Sequence, residues 1–238
     1  MRVACLNIHA GRCGTGANRA SLPEIADLLR SVSPDVCLLQ EVDRRMPRSG
    51  FADMSAILAR AMQRDGENEW FFAFGAALSL GGFAQYGNVV LSRQPFAAVQ
   101  RLALPASGGE PRGAVGVTFG GDKPVAVWTT HLGLRSEWRE SQLLALADAV
   151  NADARNGFAV IVGGDFNAGW DAPETQMFAS TTGLFPATPD APTFPALAPA
   201  HRIDFLLAAP GTTVIDTGLI SDANASDHAL IWADFSAP

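Results

Sequence analysis

The chain has 238 residues, of which 48% are hydrophobic and 17% are charged, and this composition excludes a disordered or fibrous protein. Its formal net charge of −7 argues against a broad, non-specific nucleic-acid surface, which needs a basic face, but not against a nuclease that holds divalent cations. Three cysteines without a CxxC or histidine pattern predict reduced thiols in a cytoplasmic protein, and no apolar run reaches the roughly 20 residues that cross a bilayer.

The first part of the chain predicts strands and helices in alternation. Apolar runs at 2–8 and 35–42 are typical of strands. Between them, Ser21 and Glu24 have the spacing of a capping box, and apolar residues at helical spacing follow to about position 33. A second apolar stripe predicts a helix over 54–62.

The middle of the chain predicts short strands without helices between them, which favours antiparallel meanders. The predicted strands cover 70–74, 87–92, 95–102, 113–119 and 124–130. Glycines concentrate over 75–86, so we expect a loop there.

The last part begins with a long amphipathic helix over about 136–155 and a buried strand that ends in Gly163-Gly164-Asp165-Phe166-Asn167. A second capping-box spacing predicts a short helix from Asp171, and the Pro- and Ala-rich stretch 182–200 predicts an irregular surface loop. Its length is unusual for a compact domain, which points to function or mobility.

Closing strands are predicted at 202–208, 213–217 and 229–235. The sequence contains no domain boundary, so residues 1–238 are predicted to form one α/β domain. Groups of strands flanked by well-spaced helices predict sheet packed on sheet, with helices on the outer faces.

The predicted strands repeatedly end on a small set of polar residue types. Each one alone is readily explained as a turn former, a solvated strand end or a hydrogen-bonded histidine. Together they are a candidate site, because loops at strand ends are where a rigid scaffold presents chemistry. The set is Asn7, Glu41, Asn88, His131, Asp165, Asn167, Asp204, Asp227 and His228.

Carboxylates and asparagines without a thiolate suit a hard cation such as Mg²⁺ rather than zinc. Crowded carboxylates without a cation would repel one another, and a divalent ion removes that conflict. The two histidines and a further aspartate supply what proton transfer and phosphate stabilisation need. Arg112 is a candidate phosphate ligand, because a guanidinium binds phosphate oxygens bidentately, although it is equally well explained as a solvated loop residue.

The sequence resembles the endonuclease/exonuclease/phosphatase superfamily over essentially its whole length, with that family's motifs in order. The matching motifs are Leu6-Asn7-Ile8, Gln40-Glu41-Val42, Tyr86-Gly87-Asn88 with Leu91-Ser92-Arg93, Thr130-His131-Leu132, Gly164-Asp165-Phe166-Asn167, Ile203-Asp204-Phe205 and Ser226-Asp227-His228. The resemblance implies a four-layer α/β sandwich of two mixed, mostly antiparallel sheets with helices outside. It also implies hydrolysis of phosphate esters with one or two Mg²⁺ or Mn²⁺ ions.

The same resemblance assigns roles to the site residues. Glu41 would be the main metal ligand, supported by Asn7 and Asp227. Asp165 would orient and deprotonate the attacking water, and Asn167 would hold that water or a second metal. Asp204 would orient His228, which would stabilise the phosphorane or help protonate the leaving oxygen. His131 would contact the phosphate from the other side, and Asn88 would bind substrate.

The chain departs from the family pattern at several positions. Leu6 replaces a common tyrosine, Ala229 and Leu230 replace polar and proline residues after the last motif, and His9 follows Asn7 in a loop where we expect it to make only local hydrogen bonds.

The substrate prediction favours a lipid-head-group-like or other modest-sized phosphodiester. A DNA endonuclease or exonuclease is the alternative, and a binding module that has lost its chemistry is a second one. The chain has one lysine, Lys123, and no dense basic stripe, although Arg44, Arg45 and Arg48 could gather near Glu41. A membrane substrate would favour an interfacial apolar loop, for which 185–199 is the best candidate.

Overall fold

Two six-stranded sheets form the centre of the protein. The structure is a computed structural model, and it describes residues 1–16, 21–63, 69–106 and 108–236. The strands are β1 Arg2–Asn7, β2 Val36–Arg44, β3 Phe71–Leu80, β4 Ala84–Ser92, β5 Ala98–Ala103, β6 Gly113–Phe119, β7 Val125–His131, β8 Ala159–Asp165, β9 Phe185–Pro186, β10 Asp204–Ala208, β11 Thr213–Ile220 and β12 Leu230–Ser236. The first sheet has the order β11-β12-β1-β2-β4-β3, and the second has the order β5-β6-β7-β8-β10-β9.

Each sheet contains one parallel pair, β1 with β2 and β7 with β8, and the remaining neighbours are antiparallel. A helix connects the two strands of each parallel pair, as a parallel crossover requires. The α-helices are α1 Leu22–Ser31, α2 Met54–Met62, α3 Ser136–Arg155 and α4 Pro173–Thr182.

Three apolar clusters hold the layers together. The middle cluster fills the space between the sheets with side chains such as Leu38 and Leu206. The other two lie between a sheet and its helices, with Leu58 of α2 in one and Leu146 of α3 in the other. The central strands are therefore buried on both faces, which is why they read as continuous apolar runs. The mixed four-layer sandwich predicted from the sequence is confirmed.

The loop predicted over 75–86 is wrong. Strands β3 and β4 continue through most of it and leave only a short turn at 81–83. Gly75, in the predicted loop, lies in β3, where a Cβ would lie 2.8 Å from Cβ of Val115. Gly87, in the strand predicted after the loop, lies in β4, where a Cβ would lie 2.0 Å from the backbone oxygen of Gly75.

Neither predicted capping box forms. Ser21 precedes α1, but its hydroxyl donates to the backbone oxygen of Ala225 instead of accepting from the helix. Helix α4 begins at Pro173 rather than Asp171, and Glu174 pairs with Arg139 of α3. Long-range partners have replaced the local hydrogen bonds that the spacing suggests.

The segment after α4 is more ordered than the predicted surface loop. It contributes strand β9, and Thr188, Thr193 and Ala196 are buried against the body of the protein. The free cysteines Cys5, Cys13 and Cys37 are also buried. None of the helices in the described ranges has the length and hydropathy needed to cross a membrane.

Candidate active site

Strand register brings three of the predicted site residues into one row. In the parallel pair β7–β8, His131 lies opposite Asp165, and in the antiparallel pair β8–β10, Asp204 lies opposite Asp165 from the other side. All three are at the ends of their strands, and all are buried. The row therefore lies at the end of the second sheet, where the strands give way to loops.

Asn7, the last residue of β1, joins the first sheet to this row. Its Nδ2 atom lies 3.0 Å from Oδ2 of Asp165 and 3.2 Å from Oε1 of Glu41, while its Oδ1 accepts from the backbone N–H of His9 at 3.0 Å. Asn7 is 1% exposed. These hydrogen bonds give both polar atoms of its amide a partner, as burial requires. Asn7 thus links a residue of each sheet at one point.

A β-bulge presents Glu41. The register between β2 and β4 shifts between Leu39 and Val42, and Glu41 has a positive φ of 56°. Its neighbours Gln40 and Val42 are fully buried, and Gln40 donates to the hydroxyl of Thr129 on the second sheet at 2.8 Å. The bulge therefore leaves the Glu41 carboxylate partly exposed beside Asn7.

Backbone strain shapes the turn around Asp165. Gly164 has φ 154°, and a Cβ there would lie 2.0 Å from the backbone oxygen of Thr130. Asn167 has φ 50°, and its N–H donates to Oδ1 of Asp165 at 2.9 Å. The Asn167 amide also donates to the backbone oxygen of Leu132 at 2.9 Å, so both acid and amide are fixed in place.

Asp204 and His228 form a buried pair. Nδ1 of His228 lies 2.9 Å from Oδ2 of Asp204, the hydroxyl of Thr193 donates to the same oxygen at 2.6 Å, and the Phe194 ring packs 4.7 Å from the imidazole. Burial lowers the pKa of His228, but Asp204, with a smaller contribution from Asp165, outweighs it and raises the pKa to about 10. Its Nε2 atom, 3.7 Å from Oδ2 of Asp165, is the nitrogen left for the site.

His131 is neutral at neutral pH, whereas His228 is protonated. Burial lowers its pKa to about 3, with a further contribution from Arg112, although Asp165 opposes the shift. An Nη1 donor of Arg112 lies 3.1 Å from Nδ1 of His131, and the amide donor of Asn167 lies 3.0 Å from Nε2 of the same ring. A neutral imidazole accepts at only one nitrogen, so these two hydrogen bonds are alternatives. Nε2 also lies 3.4 Å from Oδ2 of Asp165.

Asp165 is the residue on which these contacts converge. Burial raises the pKa of its carboxyl, and the nearby Asp204 charge raises it further, while His131 and His228 act against the shift. A buried carboxylate with a raised pKa and several donors around one oxygen has the properties of a general base.

The C-terminal motif reaches the same place from the far end of the chain. The hydroxyl of Ser226 donates to the backbone oxygen of Asn7 at 2.6 Å, and Oδ1 of Asp227 lies 3.5 Å from Nδ1 of His9. The hydrogen bonds of His9 in the described residues are local, as expected, and the approach of its ring to Asp227 is not a hydrogen bond. Asp227 is partly exposed, as Glu41 is.

Arg112 and Asn88 stand at the side of the site. Arg112 is 7% exposed, pairs with Glu110 at 3.0 Å and leaves its buried Nε without a partner in the described residues. The solvated-loop explanation of Arg112 is therefore wrong. Asn88 donates to the backbone oxygen of Gly113 at 2.7 Å and so links β4 to β6, and its contact with a substrate stays a prediction.

Two groups of side chains are candidates for binding a divalent cation. Asp165, Asp204 and His228 bring one ligand atom each within 4.8 Å of one another, but Asp204 is already occupied by His228 and Thr193. Glu41 and Asp227 are partly exposed carboxylates, and their oxygen chemistry suits Mg²⁺ or Mn²⁺. The residues present therefore fit a hard cation on the Glu41 side.

A surface cavity of about 540 Å³ adjoins the site. Trp170 and Asp171 line it just after Asn167, and His201 and Arg202 line it just before Asp204. A cavity of similar size between α3 and α4 contains Glu137, Glu140 and Glu174 and lies away from the row of site residues. The chemistry thus points to the first cavity as space for part of a substrate.

Sequence reasoning missed Thr193, and it gave no role to Tyr86, which stands in one of the matching motifs. Thr193 lies in a Pro- and Ala-rich stretch where no periodicity marks it, and only the folded chain brings it to Asp204. Burial raises the pKa of Tyr86, and the charge of Glu41 adds to that rise, so its phenol lies close to the site. Its position two residues before Asn88 on a strand, and thus on the same face, was the available signal.

Comparison with known proteins gives a consistent picture. The family model described as "Endonuclease/Exonuclease/phosphatase family" matches residues 4–228. "Uncharacterized protein YbhP" from Escherichia coli K12 is 32% identical over 251 residues, with 98% of this chain and 95% of the relative covered.

Solved structures from other organisms share the fold. An endonuclease/exonuclease/phosphatase from Beutenbergia cavernae superposes with a TM-score of 0.82 at 27% identity, covering 100% of this chain and 71% of the other. The mannosyl-6-phosphatase Bt3783 of Bacteroides thetaiotaomicron superposes with a TM-score of 0.78 at 14% identity and 99% coverage of both chains. At 14% identity, the likeness to Bt3783 shows a shared fold and nothing more.

Proposed function

Because this chain belongs to the endonuclease/exonuclease/phosphatase family, we propose that residues 1–238 form one domain that hydrolyses a phosphodiester with Mg²⁺ or Mn²⁺. The observation that carries this proposal is the surroundings of Oδ2 of Asp165. Donors or potential donors of Asn7, His131 and His228 lie 3.0, 3.4 and 3.7 Å from that one oxygen. A base flanked by groups that can bind phosphate oxygens is what attack of water on phosphorus requires.

Asp165 takes a proton from the attacking water in the proposed mechanism. The water oxygen forms a bond to phosphorus while the bond from phosphorus to the leaving oxygen breaks. His228 donates a proton from Nε2 to that leaving oxygen, and Asp204 holds the ring through Nδ1. The products are an alcohol and a phosphate monoester, so protons and bonds balance. Asn167 holds the attacking water on the same side as Asp165.

His131 and Arg112 bind the non-bridging oxygens. His131 is neutral and its Nε2 lies beside Asn167 and Asp165, and Arg112 has a buried Nε donor with no partner among the described residues. Fixed donors of this kind stabilise charge that grows in the transition state. Asn88 is proposed to contact the substrate from β4, beyond its link to Gly113.

Glu41, Asn7 and Asp227 are the residues that would hold one or two divalent ions. A bound cation supplies charge neutralisation at the phosphate oxygens and at the departing oxygen. The oxygen of Asn7 accepts one hydrogen bond, from the N–H of His9, and its second lone pair is the one that a cation would use.

The substrate that we favour is a modest-sized phosphodiester such as a lipid head group. The net charge of −7 works against extended contact with a DNA backbone. DNA cleavage and a catalytically inactive binding role are the alternatives. The cytoplasmic location stays a prediction.

Hydrolysis of bis-p-nitrophenyl phosphate, with Mg²⁺, with Mn²⁺ and with EDTA, tests the reaction. We expect turnover only with a divalent ion, and a loss of about 100-fold or more in Asp165→Asn and His228→Ala. Asp216→Asn is the matched control for Asp165→Asn, because Asp216 is exposed and lies outside the row of site residues. Equal rates in all three variants, or turnover in EDTA, would contradict the proposal.

A panel of abasic duplex DNA, sphingomyelin, lysophospholipids and phosphoinositides tests the substrate class. We expect cleavage of at least one lipid ester and little cleavage of DNA. Cleavage confined to abasic or nicked DNA would replace the lipid proposal with the nuclease alternative.

A further inference from the structure

Exposed apolar side chains occur on segments that adjoin the polar site along the chain: two loops, and the tip of the β3–β4 hairpin with the turn at Phe51. We call them the apolar rim: Phe51, Leu80, Phe83, Leu134 and Leu197. Single exposed apolar residues are ordinary on a protein surface, but a group that borders one polar site points to an interaction surface.

The first loop carries Leu197, which is 70% exposed. Its neighbour Ala196 donates its N–H to the backbone oxygen of Asp227 at 2.6 Å, and Phe194 packs on the His228 ring. Leu197 is therefore fixed at the edge of the site. It lies within the stretch 185–199 that the sequence marks as an interfacial loop.

The second loop carries Leu134, which is 71% exposed. Two residues earlier, the backbone of Leu132 donates to the oxygen of Asp165 at 2.9 Å and accepts from the amide of Asn167 at 2.9 Å. Arg139 donates to the backbone oxygen of Leu134 at 2.8 Å, so a buried arginine holds this loop in place.

The third group lies beyond Glu41, where strands β2 and β4 extend past the site. Phe83 and Leu80 flank the tip of the β3–β4 hairpin and are 56% and 50% exposed, and Phe51 is 60% exposed. The guanidinium carbon of Arg45 lies 5.3 Å from the centre of the Phe83 ring. Phe51 joins the same surface, because its turn and the Arg45 backbone hydrogen-bond to each other through Ala52.

Arginines accompany the third group. Arg48 pairs with Asp43 through Nε and Nη2, at 2.9 and 2.7 Å, which leaves its Nη1 donors for another acceptor. The hydrogen bond to Asp43 raises the pKa of Arg48, and the charge of Glu41 contributes to the rise, so Arg48 stands near the site. Exposed apolar tips beside arginines match the boundary between acyl chains and lipid phosphates.

From this arrangement, we propose that the apolar rim docks on the surface of a phospholipid bilayer, so that the site receives a phosphodiester in a lipid head group. This inference rests on the proposed function for the reaction itself. Single-stranded nucleic acid is the less suitable partner, since three of the five rim residues are leucines, which cannot stack on bases as aromatic rings do.

Sedimentation with vesicles of phosphatidylcholine and phosphatidylglycerol tests the docking separately from catalysis. With EDTA present, we expect the wild-type chain to sediment with the vesicles. Leu197→Ser, Leu134→Ser and the pair Leu80→Ser with Phe83→Ser should each weaken partitioning about tenfold, because each removes apolar surface that the bilayer would cover. Leu144→Ser and Ile215→Ser are matched controls, as these side chains are 48% and 63% exposed on α3 and on β11 away from its site end.

The outcomes separate docking from chemistry. Rim variants should hydrolyse bis-p-nitrophenyl phosphate as fast as wild type, and their melting temperatures should match those of the controls. Failure of the wild type to bind vesicles, or equal losses in rim and control variants, would overturn the docking proposal. So would rim-dependent binding of single-stranded DNA without vesicle binding. A chain that binds vesicles through the rim but hydrolyses no ester would leave docking standing and remove the proposed reaction.

Discussion

The side-chain amide of Asn7 lies 3.0 Å from Oδ2 of Asp165, and this hydrogen bond joins the two sheets where their strands end. Asn7 closes β1 of the first sheet and Asp165 closes β8 of the second. The site is therefore assembled across the interface between the sheets, with the proposed cation ligands on one side and the proposed base on the other. Any change in how the sheets pack is expected to alter the reaction as well as stability.

Asp204→Asn should show whether Asp204 acts by orienting the His228 ring or by helping to bind the substrate. The amide keeps the shape of the side chain but removes the charge that holds His228 through Nδ1, so we expect kcat to fall by about 10²- to 10⁴-fold with a smaller change in KM. In metal-free protein, the pKa of His228, about 10 in wild type, should fall, because burial then acts with less opposition. Ring resonances in NMR titrations measure it, and an unchanged pKa would show that Asp204 does not control His228.

The pH dependence of stability should report His228 in metal-free protein. Its pKa is about 10 when folded and about 6.5 when unfolded, so the folded chain binds the proton more tightly. The stabilisation is complete below about pH 6.5 and is lost as the pH rises towards 10, at up to about 1.4 kcal/mol per pH unit. Urea unfolding in EDTA between pH 6.5 and 9.5 measures this slope. His228→Asn should flatten it, and parallel curves for the two proteins would contradict the expected shift.

Sequence and structure agree where the chemistry is local to a strand end. The Gly164-Asp165-Phe166-Asn167 turn was predicted as a strand followed by a site, because apolar residues and turn formers adjoin there. The bulge at Glu41 was not predicted, since its positive φ arises from pairing with β4 and leaves no periodic trace. Thr193 was missed for a similar reason: its partner Asp204 lies 11 residues away across a turn that only the fold defines.

Glycine and glutamate illustrate the opposite error. Gly75 was part of the predicted loop, yet it lies in β3, where the side chain of Val115 leaves no space for a Cβ. Glu174 predicted a helix cap, yet it pairs with Arg139 on another helix. Local propensity is a weak guide where tertiary contacts compete for the same residue.

Removal of one partner of the Arg139–Glu174 pair should strongly destabilise the folded protein. Nη2 of Arg139 lies 2.6 Å from the carboxylate, and both side chains are nearly buried, so Arg139→Met leaves an unpaired buried charge. We expect a loss of about 3–5 kcal/mol in the free energy of unfolding, and a much smaller loss when Glu174→Met is added. Urea unfolding measures both. Glu137→Gln, in an exposed pair with Arg135, is the control and should change little.

Gly164→Ala should disturb the turn that carries Asp165. The added Cβ would meet the Thr130 backbone oxygen at 2.0 Å, so β7 and β8 must separate or the chain must fail to fold. Gly157→Ala is the matched control, because Gly157 also has a positive φ, 85°, but a Cβ there meets nothing within 4 Å. The control should lose only about 1–2 kcal/mol in unfolding experiments. Equal stability losses in the two variants would show that the close approach at Thr130 is relieved without cost.

Binding of a divalent cation should raise the melting temperature through Glu41. At 100 times its dissociation constant, a ligand that binds only the folded chain stabilises it by about 2.7 kcal/mol. We expect Mg²⁺ and Mn²⁺ to raise the melting temperature of the wild type and of Asp216→Asn. Glu41→Gln should lose most of this rise, because the amide lacks the negative charge that attracts the cation. A full rise in Glu41→Gln, together with its loss in Asp204→Asn, would move the cation to the buried cluster of Asp165, Asp204 and His228.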